Sequence, residues 1–510
     1  MRNRLTASIH MLDDDSLLNV FYLYRPFLLG EDDEDEFNRL TGGTKRWERG
    51  RWWYKLAHVC PRWRNVVLGS VAYLGISLVC TNGTPVADML ANSPPLPLVI
   101  DYSLNKYNNF TAEDEEGAIL ALKQYHRVCR VRLDMPPTSL QKFITTMDEE
   151  YPILEYLIIW HPANDMSTIL TLPETLQAPH LHHLVLVGFA LPIGSRLLTT
   201  SVGLVTLYFG MLNPSAYFYP NTLLQWVSFM PHLETLAICF YFPGRSRHVG
   251  GQFKHTAITT PVTLPKLRRF WFYGAAAYLE ALLYRISAPR LKKLQITFFN
   301  QLTFSVPRLL HFVDTTENLR FKSAIFKFSD ERVDVEVYPH EEAEIYALFL
   351  SVKSCHLDWQ VSSVAQIFNV LGPVFSAVEH LAFEHKVHSQ TSEEHNEVDR
   401  SEWRKLLSSF GNVKTLRIAK GLVEELTGCL GSDDGELPLE ILPELQQLTY
   451  SGSEDTSNAF TPLIDARQNA GVPLTLVRRS PSPGHDYSLS SLEPLSIASA
   501  SGEAESDPDA

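Results

Sequence analysis

The residues best equipped for chemistry in this chain are histidines, cysteines and a group of cations beside an indole. His180, His182 and His183 crowd one stretch, and His380, His385, His388 and His395 crowd another. A metal site needs convergent ligands and further groups that orient them. In an extended segment successive side chains point to opposite faces, so His182 and His183 diverge, and both groups read as solvated histidines. The cysteines (Cys60, Cys80, Cys129, Cys239, Cys355 and Cys429) are far apart and form no pair spaced for zinc or redox work. Most sit in apolar stretches, which reads as small buried thiols in a reducing compartment. No nucleophile elbow, phosphate loop or paired-histidine zinc motif occurs. The expectation is therefore a protein with no catalytic residue, no metal and no cofactor.

Recognition is the remaining kind of chemistry, and one region suits it. Arg268, Arg269, Trp271, Lys292 and Lys293 fall on two neighbouring segments, with Tyr208 at a matching position upstream. Cations beside an indole suit an acidic or phosphorylated peptide. The alternative is a solvated strand face with Trp271 packed against a neighbour.

The charge pattern limits the other options. Of 510 residues, 58 are acidic and 44 basic, a formal charge of −14. Residues 31–36 form one run of six carboxylates, and residues 480–510 add six more with no Lys or Arg. Without these twelve the remainder carries −2, and no long basic stripe suggests a nucleic acid. The run at 31–36 reads as a solvated, self-repelling loop. Residues 1–11 lack an apolar signal core, and no apolar run approaches the ~18 residues of a membrane span. The expected location is the cytoplasm, the nucleus or both, with no membrane partner.

The elements that must position the cations come from a repeat. A Pro two residues before a Leu, followed by apolar residues three and five further on, recurs six times, with Pro152, Pro179, Pro231, Pro265, Pro289 and Pro443. Copies without the Pro start at Leu204, Val378 and Val413, and weaker ones at Val128 and Val352. The separations from Leu154 to Leu181 and from Leu267 to Leu291 are 27 and 24 residues, the range of leucine-rich repeats. The last two apolar positions share one face of a strand. Pro cannot donate a ladder hydrogen bond, so it separates the preceding element from the strand.

Helical spacing fills several gaps. Leu140, Phe143, Ile144 and Met147 form one set; Leu223, Leu224, Val227 and Met230, with Asn221 as N-cap, form another; Trp403, Leu406, Leu407 and Phe410 form a third. Stacked helix–strand coils would bury apolar faces that one coil cannot. The residues between the apolar strand positions would then face the concave side. These are Tyr156 and Ile158, His183 and Val185, Thr206 and Tyr208, Thr235 and Ala237, Arg269 and Trp271, and Lys293 and Gln295. Later coils supply His380 and Ala382, Thr415 and Arg417, and Gln447 and Thr449. Residues 323–338 read as two strands around a turn, and residues 388–399 as a polar loop.

Residues 11–75 stand outside the repeat. Asp residues precede Leu17, Val20, Phe21 and Tyr24, which share one helical face. A second helix is expected through Trp52, Trp53, Leu56, Val59 and Cys60, and a third from Pro61 through Trp63, Val66 and Val67. Leu12, Leu17, Leu18, Val20 and Phe21, then Leu56, Val59, Cys60, Trp63 and Arg64, resemble the F-box pattern. Asp13 stands where that pattern usually has Pro, and Pro61 where it is more often basic. A long segment holding the acidic run separates the two halves.

The wider chain is similar to the F-box proteins with irregular leucine-rich repeats that abound in mushroom-forming fungi. Residues 78–90, 95–100, 357–360, 466–468 and 471–473 add to that similarity. The resemblance implies an α/β protein with a small three-helix F-box at residues 8–75, interrupted by an acidic insertion at 25–51. An irregular leucine-rich-repeat solenoid would follow at 76–479, then a disordered tail at 480–510. It also implies a substrate receptor of a Skp–cullin–F-box ubiquitin ligase. Leu12, Leu17, Leu18, Phe21, Leu56, Val59, Cys60, Trp63 and Arg64 would meet a Skp-type adaptor, and the solenoid would hold a target protein. The other expectation is a leucine-rich-repeat interaction scaffold that assembles no ligase.

Overall fold

The computed structural model describes residues 12–25, 51–103, 110–161, 170–192, 194–212, 217–241, 261–299, 301, 303–386, 399–430, 441–451 and 458–479. The acidic run, most of the polar stretch at 388–399 (His388 and His395 included) and the tail after residue 480 lie outside them.

The repeat turns set the architecture. In all six Pro-marked copies the Leu amide reaches back three residues, as from Leu181 to the carbonyl of Ala178 (3.1 Å) and from Leu291 to Ala288 (3.1 Å). Each Pro is thus the second residue of a four-residue turn, where its fixed φ is already correct. The Leu that closes the turn is fully buried in every copy. Its burial contributes about 1.5–3 kcal/mol per coil. A strand follows two residues later.

Those strands join into one sheet. The first part holds β1 (Leu78–Cys80), β2 (Leu98–Ser103), β3 (Val128–Asp134), β4 (Tyr156–Trp160), β6 (His183–Val187), β8 (Thr206–Leu212) and β9 (Thr235–Phe240). It continues with β11 (Arg269–Gly274), β13 (Lys293–Phe298), β14 (Ser323–Ser329), β15 (Arg332–Tyr338) and β16 (Leu348–Lys353). β17 (His380–Lys386), β18 (Thr415–Ile418), β19 (Gln447–Ser451) and β20 (Thr475–Arg479) complete it. Two-residue strands β5 (Leu170–Thr171) and β7 (Phe189–Ala190) pair with each other, as do β10 (Val262–Thr263) and β12 (Ile286–Ser287).

Among the described residues the sheet has sixteen strands, with order β1-β2-β3-β4-β6-β8-β9-β11-β13-β16-β15-β14-β17-β18-β19-β20. Every pairing is parallel except the two made by β15. The turn joining β14 to β15 is too short for a parallel crossover, so the strand returns antiparallel. β16 then pairs with both β15 and β13. Val352 therefore begins no repeat. It is a core position near the end of β16, whose inward residues are Leu348, Leu350 and Val352. Gln360, on the long helix Leu357–Phe375, donates from Nε2 to the carbonyls of Ser329 and Ser354 (2.7 Å each) and pins this insertion to the helical layer.

Helices cover one face of the sheet. Helices Pro137–Thr146 and Arg400–Leu407 bury the expected apolar stripes. The helix with Leu223 starts two residues earlier than expected. It spans Pro220–Val227 with Tyr219 as N-cap, so Asn221 sits inside its first turn. Pro220 fits the first helical position because its missing amide has no partner there.

Gly274 marks a close approach in the core. A Cβ there would lie 2.7 Å from Phe240 and 2.9 Å from Phe272, both buried rings. Gly274→Ala is expected to destabilise the protein by about 1–3 kcal/mol through overpacking. Thermal melting of the variant against the parent checks this, and an unchanged melting temperature would contradict the packing.

Candidate interaction surfaces

The N-terminal helices are α1 (Asp14–Tyr24), α2 (Trp52–Ala57), α3 (Pro61–Gly69) and α4 (Val71–Leu74). Asp13 caps α1 by accepting the Ser16 amide (2.6 Å), and this hydrogen bond holds its carboxyl below the usual range. Asp14 pairs with Arg62 (2.7 Å), and Phe21 meets Trp63 edge-on at 4.8 Å. Trp53 donates to the Ser77 carbonyl (3.1 Å). Leu17, Phe21, Trp53, Leu56 and Val67 belong to the same apolar cluster as the sheet interior.

Several expectations for this head need correction. α2 ends at Ala57, so Val59 and Cys60 are not helical. Cys60 caps α3, its sulfur accepting the Trp63 amide (3.5 Å). Arg64 donates to the Ala57 carbonyl (3.1 Å) and so ties α3 to α2. Leu17, Phe21 and Leu56 are buried and pack the interior of the head, while Leu12, Leu18 and Trp63 are half-buried. Val20 and Tyr24 are exposed although Leu17 and Phe21 are not.

Outward apolar surface comes from other positions. Leu23 is 70% exposed and Val59 56%, and Val20, Leu23 and Tyr24 share one side of α1 at helical spacing. The F-box pattern marks neither Leu23 nor Tyr24. The signal present in the sequence is that α1 is apolar on two faces, more than one interior needs.

The open face of the sheet carries the residues expected there, aligned by register. One row runs Arg132, Ile158, Val185, Tyr208, Ala237, Trp271 and Gln295, each paired with the next. Part of it is not solvated. Ile158, Val185 and Val187 are buried in a second apolar cluster against Trp160, Tyr208 and Met211. Large neighbours shield them, including Tyr156 stacked on His183 (4.4 Å) with Arg130 over the same tyrosine (4.4 Å). Thr206, Ala237 and Ala382 are buried as well. Tyr208 hydrogen-bonds to Cys239, and burial pushes its hydroxyl well above the usual range.

Charge marks both flanks of that cluster. Asp101, Arg132 and Asp134 lie on β2 and β3, with Asp101 paired to Arg132 in register. Burial pushes the Asp101 carboxyl up to about 6; Arg132 opposes the shift and Asp134 adds to it. On the other flank Lys293 sits over Tyr346 (4.2 Å), whose hydroxyl is 3.2 Å from Gln295 Oε1. Lys353 lies over Tyr273 at 5.2 Å.

The proposed cation–indole group is split by the fold. Arg269, Trp271 and Lys293 face outward from β11 and β13, half-buried. Arg268 and Lys292 precede those strands and lie on the rim of the sheet, exposed. In this stretch two rim carbonyls each accept two amides from the next coil. Glu234 O accepts from Arg268 and Arg269, and Arg268 O accepts from Lys292 and Lys293 (2.8 and 3.0 Å in both cases). Further along, Lys322 and Lys414 both pair with Glu379, whose carboxyl they hold down at about 2.

The histidines separate as expected: His182 is on the rim, and His183 lies on the face. No group of three or more His, Cys, Asp or Glu among the described residues is placed to hold a metal ion. No described helix is long and apolar enough to cross a membrane. The six thiols are unpaired. Burial raises Cys80 to about 12, and Cys129, Cys239 and Cys429 to about 11. Cys355 departs from the buried pattern and is exposed.

No family model matches this chain, and no curated protein does. Among solved structures, the leucine-rich repeat-containing protein LegL7 from Legionella pneumophila is similar at 9% identity. That match covers 79% of this chain and 91% of the other, with a TM-score of 0.25.

Proposed function

We propose that the chain is a noncatalytic substrate receptor of a Skp–cullin–F-box ubiquitin ligase. The N-terminal helices dock a Skp-type adaptor, and the sheet holds a target protein within reach of the conjugating enzyme. Ubiquitin transfer happens on partner subunits, so the receptor needs no catalytic group, metal or cofactor. It works in the cytoplasm, the nucleus or both, where thiols stay reduced. Neither nucleic acid nor membrane is a partner in this reading.

The observation that carries the proposal is the head itself. Leu17, Phe21 and Leu56 of the F-box pattern lie in its interior, while Val20, Leu23, Tyr24 and Val59 leave apolar surface uncovered. An exposed apolar patch on a helical head is the kind of surface a protein partner covers. Purified full-length chain should retain a Skp-type adaptor in a pull-down, and a chain lacking residues 12–75 should not. Retention no better than a bead control would defeat the ligase reading.

A second reading is a leucine-rich-repeat interaction scaffold without ligase assembly. Cys60 and Val59 lying outside a helix and Asp13 capping α1 favour it, because these are departures at positions the F-box pattern uses. The same pull-down separates the two.

A further inference from the structure

We infer that the rim of two adjacent coils, at Lys266, Arg268, Arg290 and Lys292, captures a short acidic segment of a partner protein. This rests on the reading of the sheet as a target-holding array, and names the chemistry of the target.

Residues 261–322 contain ten basic and three acidic side chains, in a chain that is net acidic. The repeat turn puts four of the ten at equivalent places. Lys266 and Arg290 follow the turn Pro, and Arg268 and Lys292 follow the turn Leu. The turns are stacked: the Lys292 amide donates to the Arg268 carbonyl (2.8 Å). One coil earlier His232 holds the position equivalent to Lys266, and the two side chains touch at 2.8 Å, so neighbouring coils bring these positions together. The result is a two-by-two block of exposed cations. Asn318 bonds the Pro289 carbonyl (3.3 Å) and brings the turn carrying Arg320 beside it.

Most of this charge is not neutralised within the molecule. Arg268 meets Glu234 at 3.6 Å. Among the described residues, the side chains of Arg290, Lys292 and Arg320 make no ion pair or hydrogen bond. Like charges on adjacent coils repel, so the block is a standing cost that an anion relieves.

Size selects the kind of anion. Coils repeat at about 4.8 Å, and an extended peptide advances about 3.3 Å per residue, so two to four carboxylates cover the block. Glu234 bounds it on one side. On the other, Tyr346 reaches Lys293 from a turn carrying Glu341, Glu342 and Glu344. A nucleic acid draws its affinity from many phosphate contacts along a longer track, and here it would run onto these carboxylates. A short acidic peptide segment fits within the bounds.

The test uses the purified full chain without adaptor and a fluorescein-labelled hexaglutamate peptide, read by fluorescence anisotropy. Hexaglutamine and single-stranded oligothymidylate are the comparison probes. Hexaglutamate should bind, and binding should weaken as salt rises. Arg290→Glu with Lys292→Glu should weaken it about tenfold or more, with an unchanged circular dichroism spectrum. Equal binding of hexaglutamine, tighter binding of oligothymidylate, or unchanged affinity in the double variant would overturn the proposal. So would about tenfold tighter binding after residues 31–36 are neutralised to Asn and Gln, because the strip would then belong to the chain's own acidic run. Adaptor capture, scored separately, fails or succeeds independently of the peptide result.

Discussion

Val20→Lys combined with Leu23→Lys should abolish adaptor capture and leave the protein folded. Both side chains lie on the outward side of α1, so their removal takes nothing from the interior. Lys is a good helix former, and α1 keeps its Asp13 cap. A buried apolar anchor at an interface contributes about 2 kcal/mol or more, so losing two lowers affinity by roughly three orders of magnitude. The two added cations would also be desolvated in any residual complex, which pushes in the same direction. Calorimetric titration with purified adaptor measures the loss, and thermal melting checks the fold. Retained affinity would show that this side of α1 is not the docking surface, even if a pull-down had succeeded.

Arg467→Met should destabilise the protein more than Gly274→Ala does. Arg467 is fully buried in the helix Thr461–Asn469. Its guanidinium donates to the carbonyls of Leu445 (3.0 Å), Ile441 (3.2 Å) and Leu442. Leu442 carries a positive φ of 50°, and Pro443 follows it, so this turn is strained and leans on the arginine. Burial lowers the Arg467 pKa. Met has similar bulk but no donor, and three carbonyls would lose their partner at about 1–3 kcal/mol each where water cannot reach them. The expected loss is about 3–5 kcal/mol. A solenoid transmits such damage mainly to neighbouring coils. Hydrogen exchange should therefore rise in residues 441–479 and stay unchanged around β6 and β8. Full protection of residues 441–479 in the variant would refute the stapling role.

The repeat was legible because its signals are local. A Pro at the second position of a turn, a Leu closing it and alternating apolar residues in the strand all lie within eight residues. Each acts through backbone geometry or face alternation that needs no distant partner. The hairpin at 323–338 was readable for the same reason. Its place in the sheet was not: β16 enters between β13 and β15 because a short turn reverses the chain, and strand order depends on contacts far apart in sequence. The head shows the same divide. The pattern of Leu17, Phe21, Leu56 and Trp63 identifies residues that pack together, yet it does not tell an interior position from an outward one. Leu17 and Leu23 are both leucines on one helix, and only the packing of α3 against α1 decides which is covered.

The sequence by itself determined the coil length, the six marked turns, the inward strand residues and a cluster of cations between residues 266 and 293. Tertiary structure decided how that cluster is divided. Stacking in register turned Arg269 and Lys293 onto the open face with Trp271, and left Arg268 and Lys292 on the rim beside Lys266 and Arg290. It also buried Ile158 and Val185 on a face that alternation alone assigns to solvent. The physical reason is that alternation fixes only the side of the sheet a residue points to. Whether that side meets water depends on what neighbouring coils place beside it.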